Sequence, residues 1–348
     1  MNTESEVQAA PTTTIQNKVL LVSFDKQPKL AKKLAQSADE VGEFVLEEAP
    51  EDRIFNFTSL KPAIDQAKEQ GYNIIVAVEP EENKVSLVVK KGGVAGAFMV
   101  LNVHQVAAVL LQEWIKSKKY EGMHLLKSIL MSDLLDVVSR KGNVETLDQI
   151  IPAGGLEPMF KETNAKFADL PVAAFNIDQQ VMHSDLSFED IVEQLVVLEG
   201  AQRVKELTIY DALLEVYYYN GFFKEKAVAL DLSLDIHRKQ LNKFMSEVRK
   251  SPKFLEEIFS VSAVTDFNKG VKKNILTDKV YQYPISGTNI LKIETVEGVS
   301  ISLVPSEDKL TYYISVRESV NTPERFEMAN KALDQEIFKL VQYFNKKI

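Results

Sequence analysis

Cysteine is absent from the 348 residues. That single absence excludes disulfides, thiolate metal sites, iron–sulfur clusters and cysteine nucleophiles. Histidine is scarce: His104, His124, His183 and His237 are the four. No two of them stand at the i, i+4 spacing that puts two imidazoles on one helix face, so no metal is expected. There is no GxSxG elbow, no phosphate loop ending in GKS or GKT and no GxGxxG fingerprint, so no nucleotide or other cofactor is expected either. Long apolar runs are missing too. The longest, residues 94–111, contains Asn102, His104 and Gln105 and is too short and polar to span a bilayer. Met1 to Gln16 has neither a basic stretch nor an apolar one, which argues against a signal peptide. Its Ser, Thr, Ala, Pro and Glu predict a disordered arm, and a cytoplasmic protein without membrane contact is expected.

Positive charge is in deficit, with 41 Lys and Arg against 50 Asp and Glu and a formal charge of -9. A chain coating nucleic acid or anionic lipid with its whole surface needs the opposite balance, though a local basic patch stays open. What is present is an ordinary globular composition, 45% hydrophobic, in a chain long enough for two or three domains.

Lys18-Val-Leu-Leu-Val-Ser-Phe24 reads as a buried strand, followed by a helix from Pro28 to about Asp39. Residues 59–70 read as a helix stopped by Gly71. Residues 72–78 and 85–89 read as a hairpin, and Gly92-Gly93 leads into a long helix over 95–118. Helical periodicity then predicts helices at 123–140, 144–151, 186–204, 208–220, 223–231, 235–250 and 252–260, with 152–184 as a linker or surface loop. Alternation returns at 289–295, 299–304 and 310–316, and Pro323 opens a last helix. The expected fold is α+β, with a predominantly helical central region between small β-hairpin or meander-plus-helix units at both ends. In domains this gives an arm (1–16), an N-terminal α/β unit (17–120), a helical region (121–280) and a three-strand meander plus helix (281–348).

Pro80-Glu-Glu-Asn-Lys-Val-Ser86 aligns without a gap with Pro305-Ser-Glu-Asp-Lys-Leu-Thr311. Either a strand–strand–helix unit is duplicated at 72–118 and 289–346, or turn chemistry has converged on the same residues.

Three constellations bear on function. Between 207 and 253, a helix, a Gly221 break, a short helix and a longer helix succeed one another. Ala227, Leu230, Leu232, Ser233 and Leu241 fall on small, apolar, apolar, polar and apolar positions, although Asp231 stands where a turn glycine is usual. This order resembles the tri-helical helix-turn-helix domain. The resemblance implies that Arg238, Lys239, Asn242 and Lys243 would face nucleic acid. Second, Tyr217, Tyr218 and Tyr219 cannot all face one core from a helix, so at least one is expected at the surface, as an interface residue. Third, Gly92, Gly93 and Gly96, between a strand and a helix, could offer backbone amides to a phosphate.

The favoured reading is a non-enzymatic binding or assembly protein that meets a protein partner or itself. The alternatives are a DNA-associated regulator acting through 207–253 and an enzyme with a dispersed phosphate site near Gly92 to Gly96.

Overall fold

The structure is a computed structural model that describes residues 16–47, 54–93, 95–252, 259–320 and 322–347. In chain order its first strands and helices are β1 (Lys18–Ser23), α1 (Pro28–Leu34), β2 (Glu40–Val45), α2 (Phe57–Gln70), β3 (Ile74–Glu79), β4 (Lys84–Lys91) and β5 (Ala97–Val100). Then come α3 (Val103–Ser117), β6 (His124–Ser128), α4 (Leu134–Lys141), β7 (Glu145–Gln149), α5 (Leu156–Lys166), β8 (Val172–Phe175) and β9 (Val181–His183). After α6 (Phe188–Arg203) and α7 (Ile209–Asn220) follow β10 (Phe222–Asp231), α8 (Asp235–Lys250), β11 (Val261–Asp266), β12 (Val271–Asn274) and β13 (Val280–Gln282). The chain closes with β14 (Leu291–Thr295), β15 (Ser300–Pro305), β16 (Lys309–Glu318) and α9 (Pro323–Lys347).

Two compact units emerge. The first holds the described residues up to Pro80, with Val85–Leu101 and Glu189–Asp211; the second holds Glu81–Lys84, Asn102–Phe188 and Ala212 onward. The first unit carries a five-stranded sheet in the order β2-β1-β3-β4-β5. β1 pairs in parallel with both β2 and β3, which explains its unbroken apolar run: a central parallel strand is covered on both faces. Leu20, Val22, Ile75 and Ala77 pack against Leu60, Ala63, Ile64 and Ala67 of α2. That helix starts at Asn56, whose side chain accepts the amides of Thr58 and Ser59 while Ser59 reciprocates, and it stops at Gly71.

The second unit carries two sheets. A four-stranded one, β7-β6-β8-β9, repeats the topology of β1 to β4, with its first three strands parallel. The other is a seven-stranded antiparallel sheet, β10-β16-β15-β14-β11-β12-β13. Burial alternates along β14, and its register sorts the neighbouring side chains onto two faces. Ile293, Ile301 and Ile314 are buried register partners on one face, as are Leu291, Leu303 and Tyr312. The rings of Tyr312 and of Phe244 in α8 lie 5.7 and 5.8 Å from that of Phe344 in α9. Each such side chain stabilises the fold by about 1.5–3 kcal/mol. The other face carries Lys292, Glu294, Ser300, Ser302, Ser315 and Arg317.

The expected helical centre is therefore corrected to α/β. Residues 124–128 and 145–149 are strands, since short apolar runs suit buried strand and buried helix alike and parallel pairing decides. Residues 152–184 are α5, β8 and β9, not a linker. Residues 97–100 pair with β4, so α3 begins only at Val103, behind an Asn102–Gln105 capping box. The helix-turn-helix order fails at its second member: residues 222–231 are a strand paired with β16 over ten positions. Lys, Glu, Ala and Leu favour helix locally, but cross-strand pairing overrides such preferences. The strands at 261–266 and 271–274 were not expected at all. The proposed duplication places its helices differently. α9 lies on β10 and β16 of its own sheet, whereas α3 belongs to a different compact unit from β3 and β5. The arm at 1–15 and most of the helix expected at 252–260 lie outside the described residues. Among those described, no helix is long and apolar enough to cross a membrane.

A charged cleft as candidate functional site

The polar face of the seven-stranded sheet meets α4, β6 and β7 of the same unit, and between them lies a cleft of about 350 Å³. α4 supplies Asp133, Asp136 and Arg140 at the i, i+3, i+7 spacing that aligns side chains along one helix face. The sheet supplies Lys272, Lys292, Glu294, Thr295, Ser300 and Arg317, and Tyr283 closes one side.

Asp133 occupies the N-cap of α4 but caps nothing. Its carboxylate is taken instead by Lys292, at 2.6 Å. Burial would raise Asp133, but the Lys292 ammonium and hydrogen bonds from Lys292 and Ser300 outweigh it and hold the acid at about 2. Lys127, 1% exposed, reaches Asp148 at 2.8 Å and Asp136 at 3.3 Å. The Tyr283 hydroxyl donates to Asp148 at 2.9 Å. Burial opposes the charge on Asp148 too, but Lys127 and the tyrosine bond bring it below the usual carboxylate range. Asp136 goes the other way: burial, then the charges of Asp148 and Asp133, raise it despite Lys127. Carboxylates in one cleft whose environments push them apart are the arrangement that divides acid from base work. Both lysines lose some basicity to burial, yet their carboxylate partners raise them above the ordinary range. Lys272 pairs with Glu294 at 2.5 Å.

Two cations are left over. Arg140, in the last turn of α4, makes no ion pair among the described residues. Arg317 lies over the Phe223 ring at 5.2 Å and donates to the Asn220 carbonyl at 3.4 Å, without a carboxylate. Its place is fixed by the α7–β10 junction. Gly221 has φ +95, and a Cβ there would stand 2.8 Å from the Arg317 Nε.

None of the site residues expected from sequence lines this cleft. Arg238, Lys239, Asn242 and Lys243 are exposed on α8, and Leu241 and Phe244 are buried beneath them. That outward and inward division was expected, but the strand at 222–231 removes the unit that would have aimed those cations at DNA. Of the three tyrosines, Tyr217 is 1% exposed, Tyr218 half-buried and Tyr219 71% exposed. Gly92, Gly93 and Gly96 close the β4–β5 hairpin. Gly96 borders a separate pocket of about 390 Å³ in the first unit, beside Lys68 and Lys90. β5 intervenes between these glycines and α3, so the expected step from glycine loop straight into that helix is absent. The cleft itself was legible as a stripe, Asp133, Asp136 and Arg140, and as the polar positions of Lys292, Glu294, Ser300 and Arg317. Alternation of that kind ordinarily means a solvated face.

No protein-family model and no curated protein matches the sequence. Solved structures do share its fold. The Paramecium exocytosis-sensitive phosphoprotein parafusin, a phosphoglucomutase in its open form, superposes with a TM-score of 0.57 at 13% identity over 84% of this chain and 50% of its own. A putative phosphomannomutase from Thermus thermophilus gives 0.54 at 15% identity, covering 94% and 61%. A phosphoglucomutase/phosphomannomutase family protein from Burkholderia thailandensis gives 0.55 at 12%, covering 91% and 60%. The present chain thus spans about half to three fifths of their length, and the likeness is one of fold. It goes against the assembly reading, which rested on the N-terminal arm and the exposed tyrosines, and against the DNA-associated reading, which rested on the helical order at 207–253: the chain has the fold of the solved mutases named above.

Proposed function

We propose that this chain is an enzyme acting on a sugar phosphate, with the charged cleft of the second unit as its site. The reading is carried by one observation: Arg140 and Arg317 line a polar cleft without a carboxylate partner, beside carboxylates with divergent proton affinities. The mutases named above add support through their shared fold. A phosphate ester of a polyol matches both halves of such a lining. Guanidinium groups hold phosphate oxygens in charge-assisted pairs, and ionised carboxylates accept sugar hydroxyls.

The chemistry follows from the same division. Moving a phosphoryl group between two hydroxyls forms one P–O bond, breaks another and shifts one proton from the attacking to the leaving oxygen. Asp136, with its raised proton affinity, takes and returns that proton. Asp133 and Asp148 stay ionised beside Lys292 and Lys127 and orient the sugar. Arg140 and Arg317 neutralise charge on the transferred group.

Thermal unfolding with a hexose 1-phosphate, the free hexose or inorganic phosphate tests the reading. A ligand at a hundred times its Kd stabilises by about 2.7 kcal/mol. The hexose phosphate is expected to raise the wild-type midpoint more than either fragment does. The R140A/R317A double variant, folded because exposed charges contribute little, is expected to lose the response. Equal responses to hexose and hexose phosphate, or none, would sink it.

A further inference from the structure

Glu225 stands two residues from Phe223 on β10, so both side chains emerge on the face that lines the cleft. The Glu225 carboxylate accepts hydrogen bonds from the Ser132 hydroxyl and the Asn102 side chain. Ser132, 1% exposed, ties the turn into α4 in two further ways. Its hydroxyl accepts the Leu134 amide at 3.1 Å, and its own amide donates to the His104 Nδ1 at 3.2 Å. The next residue is Asp133, the partner of Lys292.

We propose that Glu225 is a proton-operated latch on the cleft, setting how the Ser132–Asp133 turn presents Asp133 and Lys292 and how strongly the cleft holds an oxyanion. The second half of this inference rests on the sugar-phosphate reading; the first does not.

The surroundings of Glu225 leave its charge uncompensated. On its own strand Lys224 and Lys226 point to the opposite face, and Lys224 is paired with Asp334 at 2.6 Å. Opposite it on β16 is Ser315, and Arg317 lies two residues further on. From α3 come Asn102 and His104; burial and the Lys127 charge hold that histidine neutral, at about 4. From the turn come Ser132 and Asp133. Lys127 is occupied by Asp136 and Asp148, and Lys292 by Asp133. Burial, reinforced by Asp133, pushes Glu225 up to about 7 against the Ser132 and Asn102 bonds. When protonated it is a neutral hydrogen-bonding partner. When ionised it is a second anion beside Asp133, the partner of Lys292, and it repels an incoming anion.

Sulfate is the probe, because its charge is constant between pH 5.5 and 8.5. In the full-length protein, relaxation-optimised NMR follows the Ser132 and Leu134 amides across that range, and sulfate titrations give affinity at each pH. The wild-type amides are expected to move with a midpoint near 7, and sulfate affinity to fall roughly three- to tenfold between pH 6 and 8. In Glu225→Gln both profiles are expected to be flat, with affinity held at the low-pH value. Amides that stay still in the wild type, or move identically in the variant, overturn the latch; the wild-type profile decides even if the variant does not fold. Amides that titrate while sulfate binds at no pH would support the latch and overturn the anion site.

Discussion

At the level of single residues, the second unit is governed by where its charges are neutralised. Lys127 is tolerable in the interior because two carboxylates meet it, and removing it would strand Asp136 and Asp148, the situation in which buried charge is most costly. Glu225 lacks such a partner, and its stability effect has a definite sign. Its proton affinity is raised from 4.5 to about 7, so the folded chain binds more protons than the unfolded one between those values. The contribution is complete below about pH 4.5 and is lost as pH rises through 7. Wild type is therefore expected to lose stability between pH 5 and 7.5 relative to Glu225→Gln, by at most about 3 kcal/mol. Chemical denaturation of both proteins at several pH values measures that difference, and parallel curves would refute it.

The secondary elements show why the cleft takes the form it does. β10 brings Phe223 and Glu225 to the polar face and β16 brings Arg317, and both depend on the abrupt turn at Gly221. Gly221→Ala places a side chain at φ +95 and within 2.8 Å of the Arg317 Nε. Destabilisation by about 1–3 kcal/mol is expected, together with weaker oxyanion binding from displacement of the guanidinium. A variant of unchanged stability and affinity would refute this role for the turn. Much of the framework was readable from sequence: β1, α2, α8, the C-terminal meander and α9 stand where periodicity and capping residues place them. Phe222 to Asp231 was not, because its Lys, Glu, Ala and Leu suit a helix and only the partner strand, eighty-odd residues later, makes it β structure. His124 to Ser128 and Glu145 to Gln149 failed for the related reason that five-residue runs carry too little periodicity to separate strand from helix. The site was harder still. Asp133, Asp136 and Arg140 read as a wet helix face, and Lys292, Glu294 and Arg317 as a wet sheet face; only their opposition in space turns two ordinary surfaces into a cleft.

Across the whole molecule, the first β-α-β-α-β-β unit and its repeat at β6 to β9 each put two helices and a returning strand around a parallel core, and within the second unit the antiparallel sheet adds a further layer of side chains. Nearly the whole chain takes part in the fold it shares with the Thermus and Burkholderia proteins. The proposed site joins Asp133, at the head of a helix over one sheet, to Lys292 on a strand of another, and its chemistry is argued from that pairing and not from the fold. If the cleft works as proposed, binding and proton transfer should come apart under mutation. Loss of Arg140 and Arg317 removes the phosphate contacts and should raise KM for a hexose phosphate steeply. Asp136→Asn keeps the shape and the arginines but can neither take nor return a proton. Its turnover should fall by about 10²–10⁴-fold with ligand-induced stabilisation close to that of wild type. The acid limb of the wild-type profile, set by a carboxyl raised above its ordinary range, should vanish in that variant. Steady-state kinetics alongside thermal shift separates the two effects. A loss of binding and turnover together in Asp136→Asn would show that the carboxylate holds the ligand and moves no proton.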